Sequence, residues 1–163
     1  MTLQEAVDDF LAQKRIAVLG VSRTPTEAAN LIYRKLREAG YTVYAVNPLA
    51  TEAEGDPCYA DLRALPEVPD GVVIATPPAT ALGIVEVCAA LGVPRVWMHR
   101  SFGTGSVSEE AVRRAEALGL TVIPGACPMM FVAPVDGGHR CIRWFLKVSG
   151  KLPTPTEGAA AWA

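Results

Sequence analysis

The segment from Ile16 to Pro48 constrains the fold most strongly, because it has the pattern of a strand, a tight glycine turn, a helix and a second strand. Apolar residues fill the first strand up to Gly20, and Gly40 ends the helix before the second strand begins. Such a βαβ unit directs the N-terminus of its helix and several backbone N–H groups to the carboxyl edge of a parallel sheet. The sequence therefore predicts an anion site at the turn after the first strand.

Apolar strands alternate with helices along the rest of the chain, at intervals of roughly 20 to 25 residues, as in a doubly wound parallel sheet. The predicted strands are 15–20, 42–46, 71–76, 95–99 and 120–123. We predict an α/β fold with a doubly wound parallel sheet of five or six strands, in a single domain of residues 1–150. Its last helix is predicted over 138–149, and residues 151–163 are predicted to be a disordered tail.

Charge and composition argue against several classes of function. The net charge of −2 gives no electrostatic case for binding nucleic acid or an anionic membrane. No apolar run approaches the roughly 18 residues of a membrane span, and no signal peptide is visible. The four cysteines are far apart and form no C-x-x-C pair, so we expect reduced thiols in a cytoplasmic protein without a metal site. No catalytic triad or phosphate-loop lysine is present, and we predict no catalytic residues.

The loop after the first strand departs from the dinucleotide fingerprint, which needs glycine at the positions of Gly20, Ser22 and Pro25. Only the first of these is glycine. Ser22, Arg23 and Thr24 instead offer backbone N–H groups, two hydroxyls and a guanidinium to an anion. The alternative is that Ser22 and Thr24 only cap the following helix, with Pro25 as its first residue, and the two roles are compatible.

Two proline corners are expected to shape the same edge of the sheet. Asn47 and Pro48 end the second strand, where a reader of NAD would prefer a carboxylate for the ribose hydroxyls. A carboxylate would repel a ribose that carries a phosphate, so its absence favours coenzyme A or NADP over NAD. Thr76, Pro77 and Pro78 follow the third main strand and are expected to form a rigid apolar wall beside the ligand.

Cys127 and Pro128 lie in the loop after the fifth strand, at the edge where ligands of such sheets bind. One interpretation is that the thiol faces the reactive end of a bound ligand. The other is that Cys127 is a small buried apolar residue, which is the commoner role of a single cysteine. His99 and Arg100 end the fourth strand, but no carboxylate or nucleophile accompanies them at a recognisable spacing.

Four motifs together resemble the small CoA-binding protein family, whose members are single-domain Rossmann-like proteins similar to the CoA-binding domain of the succinyl-CoA synthetase α subunit. The motifs are VLGVSRTPTEAAN, EAGYTVYAVNP, VVIATPPA and TVIPGACPMM, and the resemblance runs from about residue 10 to residue 130. It implies that the coenzyme site is lined by Gly20, Ser22, Arg23, Thr24, Asn47, Pro48, Thr76, Pro77, Pro78, Cys127 and Pro128.

Leu49 departs from the family pattern, in which a lysine often follows the Asn-Pro pair. The phosphotransfer and nucleotide-grasp parts of the synthetases have no counterpart here, so the resemblance does not imply ligase activity. We predict that the chain binds coenzyme A or an acyl-CoA through the pyrophosphate at the first strand–helix turn, without catalysis of its own.

Two alternatives stay open. One is an NAD(P)-binding oxidoreductase or redox sensor, and the other is a scaffold that has lost ligand binding. The predicted partner is a small nucleotide ligand, with neither nucleic acid nor a membrane. The apolar last helix, with Trp144 and Phe145, is expected to cover a sheet edge or a second copy in a homodimer.

Overall fold

The computed structural model describes residues 1–156, which form an α/β domain. Its helices and strands follow one another as α1 (Leu3–Leu11), β1 (Arg15–Leu19), α2 (Ala28–Glu38), β2 (Thr42–Val46), β3 (Glu52–Ala53), β4 (Asp56–Tyr59), β5 (Gly71–Ile74), α3 (Pro78–Leu91), β6 (Arg95–Met98), α4 (Glu109–Ala117), β7 (Thr121–Pro124) and α5 (Gly137–Val148). Short 3₁₀ turns occur at Leu62–Ala64 and Pro128–Met130.

The described strands form one sheet in the order β3-β4-β2-β1-β5-β6-β7. All neighbouring pairs are parallel except β3 with β4. The chain winds from β1 outward through β2, then returns to the other side of β1 for β5, so the direction of winding reverses between β1 and β5. The predicted doubly wound α/β fold is confirmed.

Seven strands replace the predicted five or six because residues between β2 and β5 form a small hairpin. Its turn consists of Glu54 and Gly55, both with positive φ, which suits a tight two-residue connection. β4 then continues the parallel sheet beside β2. The hairpin matters for function because it places two glutamates, Glu52 and Glu54, next to the loop after β1.

Two apolar cores cover the two faces of the sheet, as expected for strands that are buried on both sides. On one face, α1 and α2 pack on the sheet through residues such as Phe10, Ile32 and Leu36, all of them buried. On the other face, α3 and α4 pack through residues such as Val85 and Ala111. The cores fix the strand ends, and the loops beyond them are positioned as a consequence.

The start of α2 differs from the prediction. The helix begins at Ala28, and its N-cap residue is Glu27, whose side chain makes no capping hydrogen bond. Thr24 does not cap the helix, because residues 24 to 27 form a separate turn in which Glu27 N–H donates to the Thr24 carbonyl. The first turn of α2 therefore keeps backbone N–H groups that no side chain caps.

The segment predicted as a tail begins after α5. Thr156 exchanges two backbone hydrogen bonds with Val122 of β7, of 2.9 and 3.1 Å. Residues 157–163, which belong to the same predicted tail, lie outside the described residues. Among residues 1–156, no helix has the length and apolar character that crossing a membrane requires.

Candidate functional site

A cavity of about 490 Å³ opens at the carboxyl ends of β1, β2 and β5, where the winding of the sheet reverses. Ligands of open α/β sheets bind at this position. The walls are mostly apolar and are formed by Leu19, Gly20, Val46, Asn47, Pro48, Leu49, Ala60, Asp61, Leu62, Thr76, Pro77, Thr80, Gly83, Ile84 and Val87. Five of the residues predicted for the site line this cavity, namely Gly20, Asn47, Pro48, Thr76 and Pro77.

Gly20 allows the loop after β1 to lie directly against the end of β5. Its φ is +100°, and a Cβ at this position would lie 2.7 Å from the carbonyl oxygen of Ala75. Any other residue would therefore be strained and would push the two strand ends apart. This close approach forms the bottom of the cavity between the ends of β1 and β5.

Asn47 fixes the corner at the end of β2. Its side-chain amide donates to the carbonyl of Val21 at 3.0 Å, and its side-chain oxygen accepts from the N–H of Leu49 at 2.9 Å. The amide thus ties β2 to the loop after β1 and forms an Asx turn with the following residues. Leu49 is left at the cavity mouth with 84% of its surface exposed.

Pro77 and Thr76 form the opposite wall. Pro77 is the N-cap residue of α3 and Pro78 is its first residue, so the chain enters the helix along a fixed path. The hydroxyls of Thr76 and Thr80 lie 2.6 Å apart, and Thr80 donates to the Pro77 carbonyl at 2.8 Å. These hydrogen bonds, none of which involves a charged group, hold the segment from Thr76 to Thr80 in place at the cavity wall.

A second cavity of about 400 Å³ adjoins the first one, and a third of about 410 Å³ adjoins the second. Pro48, Leu49 and Ala60 line both the first and the second, and Arg23 lines both the second and the third. We refer to the three connected cavities as the groove. Arg23 is exposed, so its guanidinium is the cation available at the middle of the groove.

Asn30, which was not among the predicted site residues, holds the loop that carries Arg23. This fully buried side chain accepts from Ser22 N–H at 3.0 Å and donates at 2.7 Å to both the Ser22 carbonyl and the Glu54 carboxylate. Ser22 Oγ in turn accepts from Thr24 N–H at 3.0 Å. The N–H groups of Ser22 and Thr24 are therefore already used inside the protein. A polar residue between apolar positions of an amphipathic helix was the available sequence signal.

Glu54 places a carboxylate beside the loop after β1. Burial acts to raise the pKa of Glu54, but hydrogen bonds from Asn30 and Arg34 outweigh it, so the pKa is lowered. The Arg34–Glu54 pair is 2.8 Å long and compensates this charge. Glu52 is exposed and lines the same two cavities as Arg23, so it faces any anion bound there.

Cys127 and Pro128 lie apart from the groove. Both are buried, and Cys127 is 3% exposed within the core on the α2 face. Burial raises the pKa of the Cys127 thiol, against the opposing effect of hydrogen bonds from Met129 N–H and the Ser101 side chain. His99 Nε2 lies 3.2 Å from Ser101 Oγ, and burial lowers the pKa of His99. The structure does not bring the thiol into the groove.

The predicted site residues therefore separate into four groups. One group lines the main cavity, as described, and Ser22 and Arg23 line the adjoining cavities. Thr24 and Pro78 flank the groove in the chain without lining its three cavities, whereas Cys127 belongs to the core and Pro128 is buried beside it. Among residues 1–156, no group of three or more metal-binding side chains is present.

Comparison with known proteins gives concordant matches. The model of a family described as "CoA binding domain" matches residues 14–133. The chain is 30% identical over 114 residues to the uncharacterized protein YneT of Bacillus subtilis, covering 70% of this chain and 82% of that protein. It is also 30% identical over 120 residues to an ADP-forming acetate–CoA ligase of Archaeoglobus fulgidus, covering 70% of this chain but 18% of the ligase.

A solved structure of a hypothetical protein from Pyrococcus horikoshii superimposes with a TM-score of 0.73 and 29% identity, over 79% of this chain and 88% of that one. The matches to both short proteins cover most of their length. The match to the ligase covers a small part of a much longer chain.

Proposed function

The chain belongs to the CoA-binding domain family, and we propose that it binds coenzyme A or an acyl-CoA in the groove at the carboxyl ends of β1, β2 and β5. The observation that carries this proposal is the combination of a large apolar cavity with an exposed arginine in the adjoining cavity. Coenzyme A requires both features, because it joins anionic phosphates to an adenine ring and a flexible, largely apolar arm.

The diphosphate is assigned to the region around Arg23. Its guanidinium is exposed there, and the first turn of α2 adds backbone N–H groups without a side-chain cap. Within the described part of the chain, Arg23 N–H has no protein acceptor, whereas those of Ser22 and Thr24 do. The proposed anion contacts are therefore Arg23 and the start of α2, rather than the hydroxyl residues of the loop.

The main cavity is assigned to the adenine or to the arm. Its volume of about 490 Å³ is within the range of small-molecule sites, and such sites are mostly apolar with a few placed polar groups. The polar groups here are Asn47, the two threonines beside Pro77 and exposed Asp61, whose carboxylate accepts from the N–H of Arg63. Asn47 occupies the position where NAD sites carry a carboxylate, so a phosphate on the ribose meets no negative charge from this residue.

Calorimetric titration of coenzyme A into the protein tests the proposal. We expect Arg23→Ala to weaken binding roughly tenfold, because a hydrogen bond to a charged group contributes ~1.5–3 kcal/mol. The matched control is Arg113→Ala, which removes an exposed arginine from α4, far along the sheet from the groove. An unchanged affinity in Arg23→Ala would show that the phosphates bind elsewhere.

A thermal-shift comparison of coenzyme A, acetyl-CoA, NAD, NADP and ATP tests the choice of ligand. Ligands that bind the folded state raise the unfolding temperature. We expect the largest shifts with coenzyme A and acetyl-CoA. A shift with NAD alone would replace this proposal with the dinucleotide alternative.

A further inference from the structure

Helix α5 presents an apolar face to solvent. Cys141, Trp144, Phe145 and Val148 follow the i, i+3, i+4, i+7 spacing that places side chains on one side of a helix. All four are exposed, with 64% of Trp144, 57% of Phe145 and 65% of Val148 accessible to solvent. We refer to these four residues as the α5 ridge.

The opposite side of α5 attaches the helix to the domain. Ile142 and Leu146 are partly buried against the core, and Arg143 lies over the ring of Phe131, 4.3 Å from its centroid. Arg143 also donates to the side chain of Gln4 in α1 at 2.8 Å. No residue of α5 is fully buried, so the helix lies on the surface and its ridge projects outward.

The charged side chains within α5 are basic, and the exposed carboxylate of its N-cap residue Asp136 pairs with His139. Arg140 and Lys147 are exposed one residue away from ridge positions, and exposed Lys151 follows the helix. α5 contains no acidic residue. Residues 137–151 carry four cations, Arg140, Arg143, Lys147 and Lys151, and no acidic residue, although the chain as a whole has a net charge of −2. The α5 helix also follows the segment 14–133 that matches the family, so it is a feature outside that match.

We propose that the α5 ridge binds an anionic lipid surface. A helix with Trp and Phe on one face and basic residues beside it lies in the interfacial layer, where apolar side chains enter and cations meet headgroup phosphates. Tryptophan favours this layer because its ring is both apolar and polar. A two-fold dimer formed through the ridge would place the same cations on both sides of one interface, where they would repel one another. This charge arrangement favours a lipid surface over a second copy of the chain.

Co-sedimentation with lipid vesicles tests this inference on the full chain. We expect the protein to pellet with vesicles of equal phosphatidylglycerol and phosphatidylcholine, and to stay in solution with phosphatidylcholine alone. The binding should weaken when salt rises from about 0.05 to 0.5 M, because the surface potential is screened. Equal pelleting with both vesicle types, or no pelleting with the anionic ones, would overturn the proposal.

Two double variants separate the apolar and basic contributions. Trp144→Ser with Phe145→Ser should reduce pelleting to the level seen with phosphatidylcholine. Arg140→Gln with Lys147→Gln should lower the partition coefficient about 25-fold, because each cation near an anionic surface contributes about a factor of five. The matched controls are Phe102→Ser, an exposed aromatic outside α5, and Arg113→Gln, an exposed cation on α4. Both controls should bind vesicles like the parent protein.

Circular dichroism and coenzyme A titration on each variant show whether the domain is still folded, since the ridge residues line none of the three cavities of the groove. Sedimentation equilibrium tests whether a second copy of the chain, rather than a lipid surface, covers the α5 ridge. A stable dimer that dissociates in Trp144→Ser with Phe145→Ser would identify the ridge as a contact between two copies and would overturn lipid binding. Failure of coenzyme A binding would not affect this result, because the two sites are separate.

Discussion

Beyond β1, β2 and β5 the carboxyl edge of the sheet is an open groove, whereas beyond β6 and β7 the same edge is filled. In the filled half, Trp97 is fully buried, and its Nε1 donates to the Gly125 carbonyl at 2.9 Å. Phe10 and Phe131 contact the same indole, with ring centroids 5.3 and 5.8 Å away. The residues that follow the strands of each half therefore decide whether this edge of the sheet is open to a ligand or packed.

Glycine and proline corners shape the open half. Gly20 lets the loop after β1 lie close against the end of β5, and Pro77 directs the chain away from the cavity into α3. In the filled half, the loop after β7 instead turns back over the sheet, and it carries buried Cys127 and Met130. The comparison teaches that the position of strand ends predicts where a ligand can bind, while the residues that follow determine which of these positions is accessible.

The largest expected effect is on the filled half. Trp97→Ala should lower the free energy of unfolding by about 4 kcal/mol, because it leaves a cavity where an indole was and removes a buried hydrogen bond. Trp144→Ala is the matched control, and its exposed side chain should change the stability by less than about 0.5 kcal/mol. Urea denaturation measures both. Equal losses would contradict the assignment of Trp97 to the core of the filled half.

Thiol reactivity should show the same contrast. We expect iodoacetamide to modify exposed Cys141 at least about 100 times faster than Cys127 at pH 7, since burial limits access and raises the pKa of Cys127. Peptide mass spectrometry gives the rate at each cysteine, and Cys141→Ser should remove the fast phase. If Cys127 reacts as fast as Cys141, the half beyond β7 is open and the comparison fails.

Asn30→Ala should weaken the open half. The substitution leaves the part-buried N–H and carbonyl of Ser22 without partners, which we expect to cost about 2 kcal/mol of stability. It should also lower the affinity for coenzyme A, because the loop carrying Arg23 loses its anchor. Ser108→Ala removes the N-cap of α4 instead, with a loss of about 1 kcal/mol and no change in affinity. Parallel denaturation and calorimetry would distinguish these results.

The smallest effect should come from the charge beside Arg23. Glu52→Gln removes a carboxylate that lines two cavities of the groove, so we expect coenzyme A to bind about threefold more tightly. The gain should shrink at high salt, as for any exposed charge. Glu116→Gln changes an exposed residue of α4 instead, and it should leave the affinity for coenzyme A unchanged. A weaker affinity in Glu52→Gln would mean that this carboxylate accepts hydrogen bonds from the ligand.

Much of the fold was predictable because its determinants are local. β2 has the predicted bounds, and Gly20 and Pro77 lie at the corners where their backbone preferences placed them. The start of α2 was not predictable in this way. Its Ser-x-Thr-Pro pattern suits a cap, but Asn30 from inside the helix and Glu54 from the hairpin supply the hydrogen bonds that determine the loop.

The accessibility of a side chain was harder to predict than its place in the chain. Cys127 follows a strand at the edge where ligands bind, and only the packing of the loop after β7 shows that its thiol is buried. In α5, the sequence indicates apolar residues but not which face is attached to the domain. That choice depends on contacts with Gln4 and Phe131, which are distant in the sequence.

Thr156 occupies the outer side of β7, where it uses both the N–H and the carbonyl of Val122. Unpaired groups on an outermost strand are a template for another chain, and proteins that leave them free risk edge-to-edge aggregation. The two bonds block this template at Val122 with the chain's own backbone. Shortening the protein before Thr156 would leave the N–H and the carbonyl of Val122 unpaired. We expect such a shortened protein to pair edge to edge with other copies and to form fibril-like assemblies.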